Sequence, residues 1–288
     1  MVKSILFRTN VAIVAKVLIA IPTYLMLARQ RCSYRNTICW ARHGDFIDAL
    51  FIPIISYLLI SSHNNYCYSL QLMQTALLSS TYFGPIQWYQ KLFRYQRCIV
   101  EQHDNFIKQT YRNRCVISAT QGVQALSIPV EPAPQTSANG KVAMKDVRIS
   151  DHGNWRHLHW NALTSAYGES PFFEYYEDDI RPFFEKQYTF LLDFNMETTA
   201  KMCELLDIEP NIVLSEEYLS ADALTQSSTN GDVVSDFRDA IRPKRPLEDV
   251  EFSPKPYYQV FSQKHGFLPN LSILDLLFNE GNESVLFL

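Results

Sequence analysis

Between Thr75 and Glu101 the chain reads TALLSS, TYFG, PIQWYQKLFRYQ, R and CIVE. An apolar run is followed by a short turn containing Gly84. Next comes a stretch in which Ile86, Tyr89, Leu92 and Phe93 recur at helical spacing behind Pro85, a residue suited to a first helical turn. A second apolar run closes the unit. Two strands joined through a helix cannot form a tight hairpin, so they are expected to lie parallel, as a βαβ crossover. This order predicts an α/β fold: a mixed sheet that opens with a Rossmann-like βαβ unit, followed by a β-hairpin and several helices.

The hairpin is expected from strands at 112–118 and 123–130 around a Gln121-Gly122 turn. EPAPQTSANG at 131–140 reads as a surface loop, and DVRIS at 146–150 as another strand. Asn154 is placed to cap a helix that runs to Tyr167 and stops at Gly168. Its apolar stripe reads Trp155, Leu158, Ala162, Leu163 and Ala166. Residues 182–206 read as mostly helical, with Phe190, Leu191, Phe194, Met202 and Leu205 turned inward. A polar, proline-rich stretch follows, and about 225–255 is expected to be a mobile excursion. In the last segment Ser272, with Asp275 three residues on, fits a helix N-cap, and Gly281 fits its stop.

The 288 residues carry 26 Lys/Arg and 30 Asp/Glu, a net charge of −4, which disfavours a general nucleic-acid binder. Charge is uneven along the chain. Residues 1–72 hold seven cations and two acids, leaving 19 cations and 28 acids for 73–288. The first part also contains two apolar runs, at 11–28 and 46–62, interrupted by Lys16 and Asp48. It reads as an N-terminal extension outside the domain, either translated from an upstream start or serving as a membrane anchor. The domain itself is expected at 73–288. Its cysteines (Cys98, Cys115 and Cys203) show no CxxC or Cys/His ligand spacing, which points to reduced thiols in a cytoplasmic protein. No metal or cofactor is expected, since no glycine-rich phosphate loop, GxSxG or HExxH occurs.

The densest candidate chemistry is KQTYRNRC at 108–115. On a strand, Arg112 and Arg114 would share one face; with Lys108 nearby they match the geometry that carboxylates and phosphates accept. The competing reading is a solvated edge strand whose cations discourage aggregation. Cys115 reads either as a thiol activated by those cations or as a small core residue. His159, within the stripe that starts at Trp155, is either a satisfied core histidine or a general acid/base. EYYEDD at 174–179 reads as a solvated face.

Six segments together resemble the WbqC-like proteins, bacterial proteins often encoded among genes for O-antigen and other surface polysaccharides. They are STYFGPIQWYQKL, NFIKQTYRNRCVI, LSIPV, DVRIS with NWRHLHW, AYGESPFF and GFLPNLSILDLLFNEG, all within Met73–Leu288. Lys108, Tyr111, Asn113, Arg114, Trp155, His159 and Tyr167 match the family pattern. Where many members carry a His-Gln-Pro-type turn, this chain has Ser79-Ser80-Thr81-Tyr82-Phe83-Gly84, so the histidine is missing while Tyr82 is kept. The resemblance implies a transferase of acyl or aminoacyl type, acting on a sugar or nucleotide-sugar in surface-polysaccharide biosynthesis. The alternative is a non-catalytic module that binds a ligand or partner. The implied partner is a small anionic substrate: a nucleotide-sugar, acyl or amino-acid donor. In that reading His159 is the base and Tyr82 or Tyr111 orients the acceptor, while Lys108, Arg112, Asn113, Arg114, Trp155 and Tyr167 contact the ligand. A membrane enters only through residues 1–72.

Overall fold

The computed structural model describes residues 74–132, 141–220 and 233–288; the expectations for 1–72 and for 225–232 lie outside them. Strand β1 (Gln74–Ser79) leads through α1 (Ile86–Arg94) to β2 (Arg97–Glu101). The two strands pair in parallel, from Thr75↔Arg97 to Ser79↔Glu101. Thr75, Ala76, Leu77 and Leu78 are all buried, as expected of a parallel strand covered on both faces. The opening βαβ unit is therefore present. Pro85 sits one position before the helix, at its N-cap.

The hairpin follows as β3 (Arg114–Ala119) and β4 (Gly122–Ser127), joined by Thr120 and Gln121 with Gly122 at φ 104°. It forms its own antiparallel sheet. Four helices come next: α2 (Trp155–Tyr167), α3 (Phe173–Ile180), α4 (Pro182–Glu185) and α5 (Leu191–Leu205). Strands β5 (Ile212–Leu214) and β6 (Val233–Asp236) then join the first sheet, in the order β5-β2-β1-β6, every pair parallel. The chain ends with α6 (Ser262–His265), α7 (Ile273–Glu280) and a 3-10 turn at Gly281–Phe287. Among the described residues no helix is long and apolar enough to cross a membrane.

Local departures from the sequence reading have physical causes. The expected strand at 146–150 makes only isolated bridges, Ile149 to Val130 and Arg148 to Phe190, after a 3-10 turn at Met144–Asp146. On α2 the buried row is Trp155, His159, Leu163, Ala166 and Tyr167, so Leu158 faces solvent. Asn154 holds the N-cap position in the left-handed region, without a capping bond from its side chain. Ser272 does cap α7, its hydroxyl accepting from the Leu274 N–H.

Polar composition concealed structure in the late stretch. β6 pairs with the heart of β1, and Phe237, Ala240 and Ile241 pack into the core. Further on, Asp249 and Glu251 reach Lys91, which is fully buried on α1 while Phe93 is half exposed. The Lys91 ammonium lies 2.9 Å from Asp249 and 3.0 Å from Glu251, and 4.3 Å from the centre of the Phe237 ring. Burial raises the Asp249 carboxyl, but hydrogen bonds from Gln87 and Lys91 outweigh it and hold the pKa below the usual value. Removing one partner of a buried pair leaves a charge uncompensated in a poor solvent. Lys91→Met is therefore expected to cost about 3–5 kcal/mol in urea denaturation. Lys91→Met with Asp249→Leu should recover a large part of that loss; equal losses in the single and double variants would contradict this role.

Candidate functional site

β1 is flanked by β2, reached through α1, and by β6, which arrives from far along the chain. Open parallel sheets place ligands where neighbouring connections diverge, at the carboxyl ends of the strands. A small crevice of about 10 Å³, room for about one water molecule, lies at that point. Its lining includes Ser79, Ser80 and Thr81 from the end of β1, Tyr111 and Arg112, and Phe237 and Arg238 just past β6. The Trp88 indole fixes one wall by donating to the Ser79 carbonyl at 2.9 Å.

The two arginines are the charged groups of this lining, and the acids that pair with them, Asp104 and Asp236, are not part of it. Arg112 is buried, donates to the Ser79 hydroxyl at 2.8 Å and pairs with Asp104. Burial raises the Asp104 carboxyl, opposed by the attraction of Arg112. Arg238 makes a two-pronged contact with Asp236, at 3.0 Å through Nε and 2.7 Å through Nη2, and donates to the Leu219 carbonyl. It also faces Glu101 at 3.8 Å. Glu101 is fully buried at the end of β2, its oxygens accepting from the Ser215 hydroxyl and the His103 and Leu219 N–H groups. Two buried polar atoms of residues in this lining have no hydrogen-bond partner, Arg112 Nε and Thr81 Oγ1. Such groups are rare in folded proteins and cluster where a water, ion or ligand completes them.

KQTYRNRC therefore divides. Arg112 reaches the crevice, where it has a carboxylate partner in Asp104. β3 starts only at Arg114, so the two arginines do not share a strand face. Arg114 lies half-buried on the hairpin, its Nε donating to the Ser127 hydroxyl at 3.2 Å, and Lys108 is exposed. Neither lines the crevice. Tyr111 does, its carbonyl accepting the Tyr82 N–H and its hydroxyl pushed up to about 12 by burial. Asn113 is a clip: its amide donates to the Ile128 carbonyl, and its own carbonyl accepts the Ile128 N–H. Cys115 is buried and its thiol is pushed up to about 12 by burial, which makes it a core residue and not a nucleophile.

Tyr82 and His159 meet elsewhere, inside the core. The Tyr82 hydroxyl lies 2.9 Å from His159 Nδ1, both residues are buried, and Trp155 packs edge-on against the imidazole. Burial lowers the His159 pKa to about 4, with a backbone contact from Ser127 acting the other way. Burial also lifts Tyr82 well above the tyrosine range. Tyr167 joins a third group: it accepts the Ser118 N–H and donates to Asp275 at 2.7 Å, while Tyr257 donates to the other carboxylate oxygen at 2.5 Å. Burial raises the Asp275 pKa to about 6, against the hydrogen bonds of both tyrosines.

The family profile of the WbqC-like proteins matches residues 79–241, more than half of the chain. The chain belongs to the WbqC-like protein family. One relative is the uncharacterized protein Rv1507c of Mycobacterium tuberculosis. It is 26% identical over 225 residues, and the alignment covers 73% of this chain and 95% of that protein. No solved structure matches. Every residue lining the crevice, from Ser79 to Ile241, falls inside the region matched to the WbqC-like family.

Arg238, Asp104, Glu101 and the hydroxyls of Ser79–Thr81 escaped the sequence reading. Their signal was positional: each follows or ends a strand of the parallel sheet, but β6 lay hidden in a polar stretch.

The two perturbed core groups give opposing pH dependences. Between about pH 4 and 6 folded Asp275 keeps a proton that the unfolded chain releases, so this group's contribution falls as pH rises. Folded His159 refuses a proton that the unfolded chain accepts between its ordinary value and about 4, so its contribution falls as pH drops. Asp275→Asn removes the first effect alone. Relative to the native sequence, its stability in urea should rise by on the order of 2 kcal/mol between pH 4 and pH 7. A difference independent of pH would contradict the assignment.

Proposed function

We propose that this WbqC-like protein is a cytoplasmic transferase of acyl or aminoacyl type, acting on a sugar or nucleotide-sugar in surface-polysaccharide biosynthesis. In this reading the carboxylate or phosphate of its substrate is held in the crevice at the end of β1. One observation carries it: two arginines line the crevice while their carboxylate partners do not, and the Arg112 Nε and Thr81 hydroxyl of the same lining lack partners. An acid paired with an arginine fixes the direction of its fork without filling the space in front. Arg112, Arg238 and the hydroxyls of Ser79, Ser80 and Thr81 would then replace the water shell of an anionic group. Tyr111 borders the same space and is placed to orient the acceptor.

A second reading, a binding module without catalysis, draws support from the sealing of His159 and Tyr82 in the core. Their hydrogen bond ties α2 to the turn after β1, which a structural role explains in full.

Thermal-shift measurements against nucleotide-sugars, acyl donors and amino acids separate the ligand classes. A ligand at 100 times its Kd adds about 2.7 kcal/mol to stability. Thr81→Val is the informative variant. The Thr81 hydroxyl is buried without a partner, so replacing it with a methyl should leave the free protein at least as stable. Affinity for the stabilising ligand should fall by about fivefold or more, the loss of one hydrogen bond. Unchanged affinity with lowered stability would remove Thr81 from the site.

A further inference from the structure

Away from the crevice, the start of α2 and the segment through α4 enclose an open groove of about 480 Å³. Trp160 and Phe184 supply its aromatic surface, their rings 5.7 Å apart, with Trp160 also packed on Phe173. Around that surface stand planar polar side chains: Asn154, His157 and Gln187, all exposed. Two ion pairs complete the rim. Arg156 binds Asp151, and Arg181 binds Glu185 at 2.8 Å.

The charge balance selects the kind of ligand. Unlike the crevice, the groove is lined by the carboxylates as well as by the arginines, Asp151 with Arg156 and Glu185 with Arg181, so it is neutral overall and an anion would gain little from entering. A purely apolar ligand would strip water from the amides, the imidazole and the ion pairs without replacing their hydrogen bonds. A ring that offers C–H faces to an aromatic surface and hydroxyls at its edge meets both demands. Carboxylates accept from such hydroxyls, while guanidinium and amide groups donate to them. We propose that this groove is a saccharide-binding site, in which Trp160 stacks on a sugar ring and Gln187, His157 and Asn154 bond its hydroxyls. The inference stands on the groove's own chemistry and holds whether or not the crevice binds an anion.

Of the four tryptophans, Trp88 and Trp155 are buried, Trp160 is half-buried in the groove and Trp40 lies outside the described residues, so an emission change is assigned to the groove by its loss in the groove variants. The full chain is titrated with glucose, galactose, N-acetylglucosamine and maltose to 100 mM, and separately with inorganic phosphate. At least one saccharide should shift the emission with saturation, and phosphate should not compete. Trp160 packs on two phenylalanines, so Trp160→Ala risks the fold; the decisive variants are Gln187→Ala and His157→Ala, both at exposed positions. Each should weaken saccharide binding by about fivefold, as expected for one lost hydrogen bond, with Tm unchanged. No response to any of the four sugars would overturn the proposal. So would competition by phosphate, or a response that both variants leave intact.

Discussion

Past Ser79 the chain leaves β1, and its backbone must find partners outside the sheet. The Tyr82 N–H bonds the Tyr111 carbonyl at 2.8 Å, and the Ile86 N–H bonds the Leu271 carbonyl at 3.0 Å. The Phe83 carbonyl accepts the Ser272 hydroxyl, and the Gly84 carbonyl accepts the Ile273 N–H. Tyr82 adds its contact with His159 on α2. A turn of a few residues thus satisfies its polar groups with three segments distant in sequence: the stretch before β3, α2 and the start of α7. Its shape leaves no slack, because Phe83 is left-handed at φ 38° and a Cβ on Gly84 would stand 2.3 Å from the Thr81 hydroxyl oxygen.

The crevice follows from this arrangement. Tying Tyr111 to Tyr82 brings Arg112 against Ser79, where Asp104 neutralises it. β6 stops level with Leu77, leaving Phe237 and Arg238 over the end of β1. The carboxyl end of a parallel sheet then becomes a small polar space with its cations paired to acids outside its lining. Buried ion pairs of this kind contribute little net stability after desolvation, but removing one member is costly. Their effect here is to fix two guanidiniums in place.

Legibility in the sequence depended on how local each signal was. The βαβ opening was readable because the apolar runs and the helical spacing of Ile86, Tyr89 and Leu92 are short-range. The hairpin was readable for the same reason, as were Ser272 and Gly281 at the ends of α7. Arg112 was found through its clustered cations, though its partner Asp104 was not, and Arg114 and Lys108 were grouped with it by proximity in sequence alone. Nothing local marks Lys91 as buried, because the acids that make its burial tolerable lie more than 150 residues away. β6 was concealed in the same way: Val233–Asp236 is a short strand set in polar sequence, and its pairing with β1 joins residues far apart in the chain. His159 was recognised as an inward-facing histidine, and it lies buried against Tyr82.

In the proposed function Arg112 and Arg238 face a shared anion. Selenate, a tetrahedral dianion that can be located by its anomalous scattering, tests it when soaked into crystals of the protein. The expected result is a peak between the two guanidiniums, within hydrogen-bond distance of the Thr81 hydroxyl. A peak at Lys108 and Arg114, with none in the crevice, would contradict the account.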